Sequence, residues 1–230
     1  MTYSTLLLDA DETLLDFAAA EKKALFLTMQ ELGYAISEQE HKRYSEINDA
    51  QWKKLERGET TKPILTVARF SLFLAELGIV ADAKEVNRQY TDNLSLGSDL
   101  IDGAMDFLET VKQHFSLYMI TNGTAHVQIK RLAAARIDHF FSETFISEAI
   151  GYAKPKKEYF SYVLSHIEEQ DPKKVLVIGD SLTSDIAGGQ NAGLDTCWFN
   201  RYNKKCTLDT PPTMEAKNYS ELLNLLGISH

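Results

Sequence analysis

The feature that most constrains the fold is a set of three short apolar segments that each stop abruptly at polar residues. They occupy residues 5–9, 116–122 and 174–180. Continuous rather than alternating hydrophobicity is typical of strands covered on both faces. Because helical spacing fills the intervening segments, we predict an α/β protein with a mainly parallel sheet. Polar residues that follow such strands lie at the carboxyl edge of the sheet, where ligands bind.

A block without strand patterns separates the first apolar segment from the rest. It contains four helical patterns, at residues 18–32, 38–57, 62–77 and 83–94. Such a block predicts an inserted helical subdomain over residues 16–96, placed over the strand ends, with a core made of 1–15 and 97–230. Farther along, we expect helices at 105–114, 125–135, 156–167 and 185–192 and short strands at 144–146 and 196–199. Pro155 suits the first position of the third of these helices.

Charge and composition exclude several classes of partner. The 230 residues include 24 basic and 33 acidic side chains, a net charge of −9, which disfavours a nucleic-acid partner. No export signal is recognisable, and no segment approaches the roughly 18 apolar residues of a membrane helix, so we expect no membrane partner. Cys197 and Cys206 have neither disulfide nor metal-ligand spacing, and we therefore expect reduced thiols in the cytoplasm.

Candidate catalytic and anion-binding residues follow the first two strands. Asp9 and Asp11 enter a turn together, although such a pair is also typical of an acidic turn or a helix cap. Thr121 and Asn122 precede a helix start, where a hydroxyl, an amide and free N–H groups suit an anion. The alternative is a strand-to-helix turn in which Asn122 and Gly123 only provide special backbone angles.

Three further candidates come from the second half of the chain. Lys154 would give a phosphate group a point charge, while a solvated lysine is the alternative. Asp180 follows the third apolar segment and Asp185 opens the next helix, where it could serve as a cap or support a metal ligand from behind.

In combination these residues resemble the four motifs of the haloacid dehalogenase superfamily. The motifs read Asp9-x-Asp11-x-Thr13, Thr121, Lys154 and Gly179-Asp180-x4-Asp185. The resemblance implies a Rossmann-like core with a helical C1 cap, which the inserted block matches. It also implies that Asp9 is the nucleophile, Asp11 the general acid and base, Thr121 and Lys154 phosphate ligands, and Asp180 a magnesium ligand. Glu12 departs from the family pattern, in which glycine is common.

A physical argument supports the same metal. Several carboxylates in one pocket repel one another unless a cation lies among them, and hard oxygen ligands suit Mg²⁺. We expect Asp9 and Asp180 to bind the ion through side chains and Asp11 through its backbone carbonyl. Asp9 would then attack phosphorus, while the Asp11 carboxylate protonates the leaving alkoxide and later activates water. The proton donor favours a phosphatase over a dehalogenase.

Residues 8–17, 120–128 and 179–200 are similar to one branch of the family, the house-cleaning pyrimidine 5′-nucleotidases. That resemblance implies a small phosphate monoester, UMP, dUMP or dTMP, as substrate. Five residues of the helical block are candidates for reading the base, with packing between helices as the alternative. They are Phe17, Tyr44, Asn48, Trp52 and Arg69.

Two other functions use a similar constellation. A phosphatase or mutase for phosphoglycolate or a sugar phosphate would keep the same core. A phosphoaspartate signalling domain also gathers aspartate, threonine and lysine around Mg²⁺ at a sheet edge. The helical block before the second strand and the late acidic motif favour the enzyme.

Overall fold

Six short strands lie in the part of the chain that the computed structural model describes, residues 2–228. They are β1 (Thr5–Asp9), β2 (Ser116–Thr121), β3 (Glu143–Ile146), β4 (Val175–Gly179), β5 (Asp195–Phe199) and β6 (Met214–Ala216). All neighbouring pairs are parallel, in the order β3-β2-β1-β4-β5-β6. The sheet confirms the α/β class with a mainly parallel sheet that the apolar segments predict, and the Rossmann-like core that the family resemblance implies.

The first strand explains why these segments are continuously apolar. Leu6 and Leu8 join the hydrophobic cluster on one face of the sheet, and Leu7 joins a separate cluster with Tyr159 and Phe160. All three leucines are fully buried. Since both faces are covered, the three central positions of the strand are all apolar.

Helices connect the strands and cover both faces of the sheet. They are α5 (Ala104–Val111), α6 (Ala125–Ala134), α7 (Ser147–Ile150), α8 (Lys157–His166), α9 (Ala187–Asn191) and α10 (Tyr219–Leu225). Neither β6 nor α10 was predicted from the sequence. β6 has only three residues, and it joins the sheet by pairing with β5.

Two details of the predicted helices are wrong, the place of Pro155 and the start of the helix expected at 185–192. The helix expected at 156–167 begins at Lys157, so Pro155 lies in the preceding turn, joined to Lys154 by a cis peptide bond. The helix expected at 185–192 is a wide π-helical turn, Leu182–Ile186, followed by α9. The turn is wide because the N–H groups of residues 185 and 186 both donate to the carbonyl of Ser181.

Four helices form a second compact unit, Phe17–Ser98. They are α1 (Phe17–Glu31), α2 (Glu38–Glu56), α3 (Lys62–Leu77) and α4 (Ala83–Leu94). The unit begins one residue later and ends two residues later than the limits expected from the sequence. Inside it, α1 packs along α4 and α2 along α3. Ser37 and Glu40 form a capping box that starts α2. No helix within residues 2–228 has the length and apolar content of a membrane span.

Candidate active site

The carboxyl ends of three neighbouring strands bring polar side chains to one edge of the sheet. Asp9 is the last residue of β1, Thr121 is the last residue of β2, and Asp180 directly follows β4. The parallel register pairs Asp9 with Ile120 on the adjacent strand. The strand ends thus bring together three of the residues predicted from the sequence.

Lys154 lies at the centre of this edge and is buried, so the interpretation as a solvated lysine is wrong. Its ammonium Nζ donates to Oδ1 of Asp9 and to Oδ1 of Asp185, each at 2.6 Å. A third bond, of 3.1 Å, reaches the carbonyl of Ile120. Three acceptors satisfy the three N–H groups of the ammonium, and the side chain is therefore fixed in place.

Burial shifts the pKa values of this cluster. It raises the pKa of Asp9 to about 7; the Lys154 ammonium opposes the shift and the Asp185 carboxylate adds to it. Burial also raises the pKa of Asp180 well above its ordinary value, with Asp9 and Asp185 contributing. Burial opposes the charge on Lys154, but Asp185 and Asp9 outweigh it and raise its pKa. The carboxylates of the cluster therefore carry more negative charge than the single Lys154 ammonium balances.

A divalent cation fits this deficit. Asp9, Asp180 and Asp185 each offer a carboxylate oxygen, and these oxygens lie within 4.8 Å of one another. When all three are ionised, the Lys154 ammonium leaves two net negative charges. Hard oxygen donors in that number suit Mg²⁺. Asp185 also accepts from the N–H of Ser181 at 3.1 Å, so both of its oxygens have protein donors.

The Asp11 carboxylate is bound by a different pair of residues. Its Oδ2 accepts from Nε2 of Gln128 at 2.8 Å, and its Oδ1 accepts from Nη1 of Arg131. Both donors are buried on α6, and our sequence analysis missed both. A signal was present, because these two polar residues share the buried face of α6 with Val127 and Leu132.

Thr121 and Asn122 have separate local roles. The Thr121 hydroxyl accepts from the N–H of Gly123 at 3.0 Å and from Nε2 of Gln128 at 2.9 Å. The Asn122 side chain makes two hydrogen bonds with the backbone of Lys154, each of 2.9 Å. Its Nδ2 donates to the Lys154 carbonyl, and its Oδ1 accepts from the Lys154 N–H. The Asn122 side chain, predicted to contact phosphate, therefore holds the loop that carries Lys154.

The turn after Asp9 is held by residues from the second half of the chain. Glu12 has a φ of 58°, in the left-handed region that favours glycine, which explains the glycine common in the family. Its carboxylate accepts from the Tyr202 hydroxyl at 3.0 Å and pairs with Arg201 at 3.5 Å. The Tyr219 hydroxyl donates to the carbonyl of Thr13 at 2.7 Å.

The residues predicted to contact a base differ in burial. Tyr44, Asn48 and Arg69 are buried within the helical unit, and Phe17 and Trp52 are half-buried. Arg69 donates to Asn48 at 3.0 Å, and Asn48 donates to the buried carboxylate of Glu21 at 2.8 Å. These contacts give Asn48 and Arg69 a packing role between helices. Contact with a base stays a prediction for all five residues.

Comparisons of the sequence and of the structure with known proteins agree on one family. The sequence profile of haloacid dehalogenase-like hydrolases matches residues 3–193. The chain is 36% identical to the pyrimidine 5′-nucleotidase PynA of Streptococcus pneumoniae, over 98% of this chain and 96% of that protein. It is 29% identical to the pyrimidine 5′-nucleotidase YjjG of Escherichia coli, over 98% and 99%. The crystal structure of Bacillus subtilis YfnB bound to magnesium has a TM-score of 0.95 and 42% identity, covering 99% of this chain and 100% of that one. The chain belongs to the haloacid dehalogenase-like hydrolase family.

Proposed function

We propose that this hydrolase cleaves pyrimidine nucleoside 5′-monophosphates, UMP, dUMP and dTMP, with Asp9 as the nucleophile. The observation that carries the proposal is the Asp9 carboxylate held 2.6 Å from the Lys154 ammonium, with the Asp11 carboxylate two residues away on other partners. One carboxylate is therefore available for attack and a second for proton transfer. The two pyrimidine 5′-nucleotidase relatives support the substrate class.

Mg²⁺ is the cofactor in this proposal. Asp9 and Asp180 would hold it through their carboxylates and Asp11 through its backbone carbonyl. The ion, when bound, supplies positive charge that offsets the negative charge of the phosphoryl oxygens. Asp185 stays with the Lys154 ammonium and the N–H of Ser181, and it keeps the lysine beside Asp9.

The reaction proceeds in two displacements. An Asp9 carboxylate oxygen bonds to phosphorus, the bond from phosphorus to the ester oxygen breaks, and protonated Asp11 gives its proton to that oxygen. A water molecule then attacks phosphorus and gives a proton to Asp11, and the bond to Asp9 breaks to release phosphate. The Thr121 oxygen accepts two hydrogen bonds, which leaves its own hydrogen to donate to a phosphoryl oxygen in this proposal.

The test is phosphate release with Mg²⁺ from UMP, dUMP, dTMP, purine nucleotides, phosphoglycolate and sugar phosphates. Asp9→Asn is the blank, and a chelator replaces Mg²⁺ in a parallel series. We expect turnover that is selective for pyrimidine nucleotides and absent from both controls. Turnover confined to phosphoglycolate or sugar phosphates would overturn the substrate class. Full turnover by Asp9→Asn would overturn the nucleophile, and no release from any ester would overturn the hydrolase and favour a mutase.

A further inference from the structure

We propose that Gln128 and Arg131 are positioning residues that hold the Asp11 carboxylate for proton transfer and link it to Thr121. This inference rests on the proposed function, in which Asp11 acts as acid and base. Neither residue belongs to the four motifs, although Gln128 ends the segment 120–128 that resembles the nucleotidase branch.

Both oxygens of the Asp11 carboxylate are bound by donors from α6. Nε2 of Gln128 donates to Oδ2, and Nη1 of Arg131 donates to Oδ1. The two donors are three residues apart and therefore lie on the same face of the helix. Two donors in fixed positions define the plane of the carboxylate, so free rotation about its Cβ–Cγ bond is prevented.

Gln128 extends this arrangement to the phosphate side of the site. The same Nε2 that binds Asp11 also donates to the hydroxyl of Thr121 at 2.9 Å. Gly123 makes room for this side chain, because a Cβ at that position would lie 2.5 Å from Cγ of Gln128. A single amide thus joins the proton-transfer group to the residue directed at the phosphoryl group.

Burial and charge explain why Arg131 acts through Asp11. The arginine side chain is fully buried, while that of Asp11 is 28% exposed. A buried guanidinium requires a carboxylate partner, which fixes both side chains together. Guanidinium groups keep their protons in proteins, so Arg131 cannot relay the proton itself. Its contribution is the position of the carboxylate that does.

The experiment compares two esters in Arg131→Met and in a matched control, Lys130→Met. Lys130 is the preceding residue of α6 and is exposed, so the control removes a positive charge away from Asp11. UMP has an alkoxide leaving group that needs a proton. p-Nitrophenyl phosphate has a leaving group that is stable as an anion, so its first displacement proceeds without a proton donor.

For Arg131→Met we expect kcat on UMP to fall by about 100-fold, within the range of general acid and base catalysis. With p-nitrophenyl phosphate the first displacement stays fast, but water attack on the aspartyl-phosphate slows because Asp11 is misplaced. Stopped-flow should therefore show a burst of about one nitrophenolate per enzyme, and the ratio of burst rate to steady rate should exceed that of wild type. Arg131→Lys should restore part of the loss, and Lys130→Met should match wild type.

An equal loss on both esters without a burst would indicate a merely structural role and overturn the proposal, as would unchanged kcat. Thermal unfolding checks that each variant is folded; if Arg131→Met is not, Arg131→Lys and Gln128→Leu give the same test. Failure of the proposed function has a different signature, because wild type and Lys130→Met would then fail to hydrolyse UMP.

Discussion

The carboxylate of Asp185 packs against the backbone of Gly179 so closely that a Cβ on the glycine would overlap its Cγ. The same carboxylate accepts from the Lys154 ammonium at 2.6 Å. The glycine is therefore required by the side chain that packs on it. Since Lys154 also holds Asp9, this contact bears on the position of the proposed nucleophile.

Gly179→Ala should lower both stability and activity. The added methyl group would push Asp185 from its place, and overpacking of this kind costs about 1–3 kcal/mol. Urea unfolding of Gly179→Ala, Asp185→Ala and the double variant measures the coupling. We expect the alanine at 179 to cost less when Asp185 is already truncated. Additive losses would show that the two residues do not meet.

Lys154→Met should destabilise the protein in a pH-dependent way. It leaves the carboxylates of Asp9 and Asp185 without their buried cation, a loss of about 3–5 kcal/mol near neutral pH. Burial already raises the pKa of Asp9 from 3.8 to about 7, so the folded state binds the proton more tightly and stability falls as pH rises through that interval. Removing Lys154 raises this pKa further, so the loss should be smallest in acid and grow with pH.

The measurement for Lys154→Met is denaturant unfolding from pH 4 to 8 in the presence of a chelator. Lys157→Met removes an exposed lysine nearby and serves as the control. A destabilisation that is constant across this range would contradict the role of the ammonium beside Asp9.

Mg²⁺ should raise the thermal unfolding temperature of the protein. An ion that binds only the folded state stabilises it by about 2.7 kcal/mol at 100 times its Kd. The increase should be larger at pH 8 than at pH 5, because protons compete for Asp9, whose pKa is about 7. Asp180→Asn should abolish the increase, whereas Asn at the exposed Asp209 should not. Equal shifts in the two variants would place the ion elsewhere.

Glu21 should give the helical unit its own pH dependence. Burial raises the pKa of Glu21 above 4.5, so the folded state holds this proton more tightly than the unfolded chain. The stability that Glu21 contributes therefore falls as pH rises above 4.5. Glu21→Gln lacks this titration. The unfolding free energy of Glu21→Gln minus that of wild type should therefore increase as pH rises. Glu109→Gln, at an exposed position of α5, is the control, and a constant difference between wild type and Glu21→Gln would refute the expectation.

Much of the fold was predictable because burial on both faces dictates the apolar character of a strand such as β1. The helices α3 and α4 were predicted with their observed bounds, where amphipathic spacing runs without interruption. The π-helical turn at Leu182–Ile186 was not predicted, because it depends on two N–H groups that share the carbonyl of Ser181. Periodicity does not encode such a choice.

Some residues of the candidate site were likewise predictable from the sequence, and others were not. Asp9 and Asp180 were predictable because strand ends fix their positions along the sheet edge. Gln128 and Arg131 were not, because their partner Asp11 is 117 and 120 residues away in sequence. Pairing over that distance is set by how α6 packs. A polar residue on the buried face of a helix is the local sign of such a partner.

The turn that carries Glu12 and Thr13 has a consequence for biosynthesis. Its supports, the hydroxyls of Tyr202 and Tyr219, are 190 and 206 residues farther along the chain. A ribosome makes the amino-terminal side first, at about 5–20 residues per second, so the turn emerges many seconds before the tyrosines that hold it. The nascent polypeptide thus carries the turn after Asp9 without these two supports during translation, and we expect the proposed activity only after that late segment has left the ribosome.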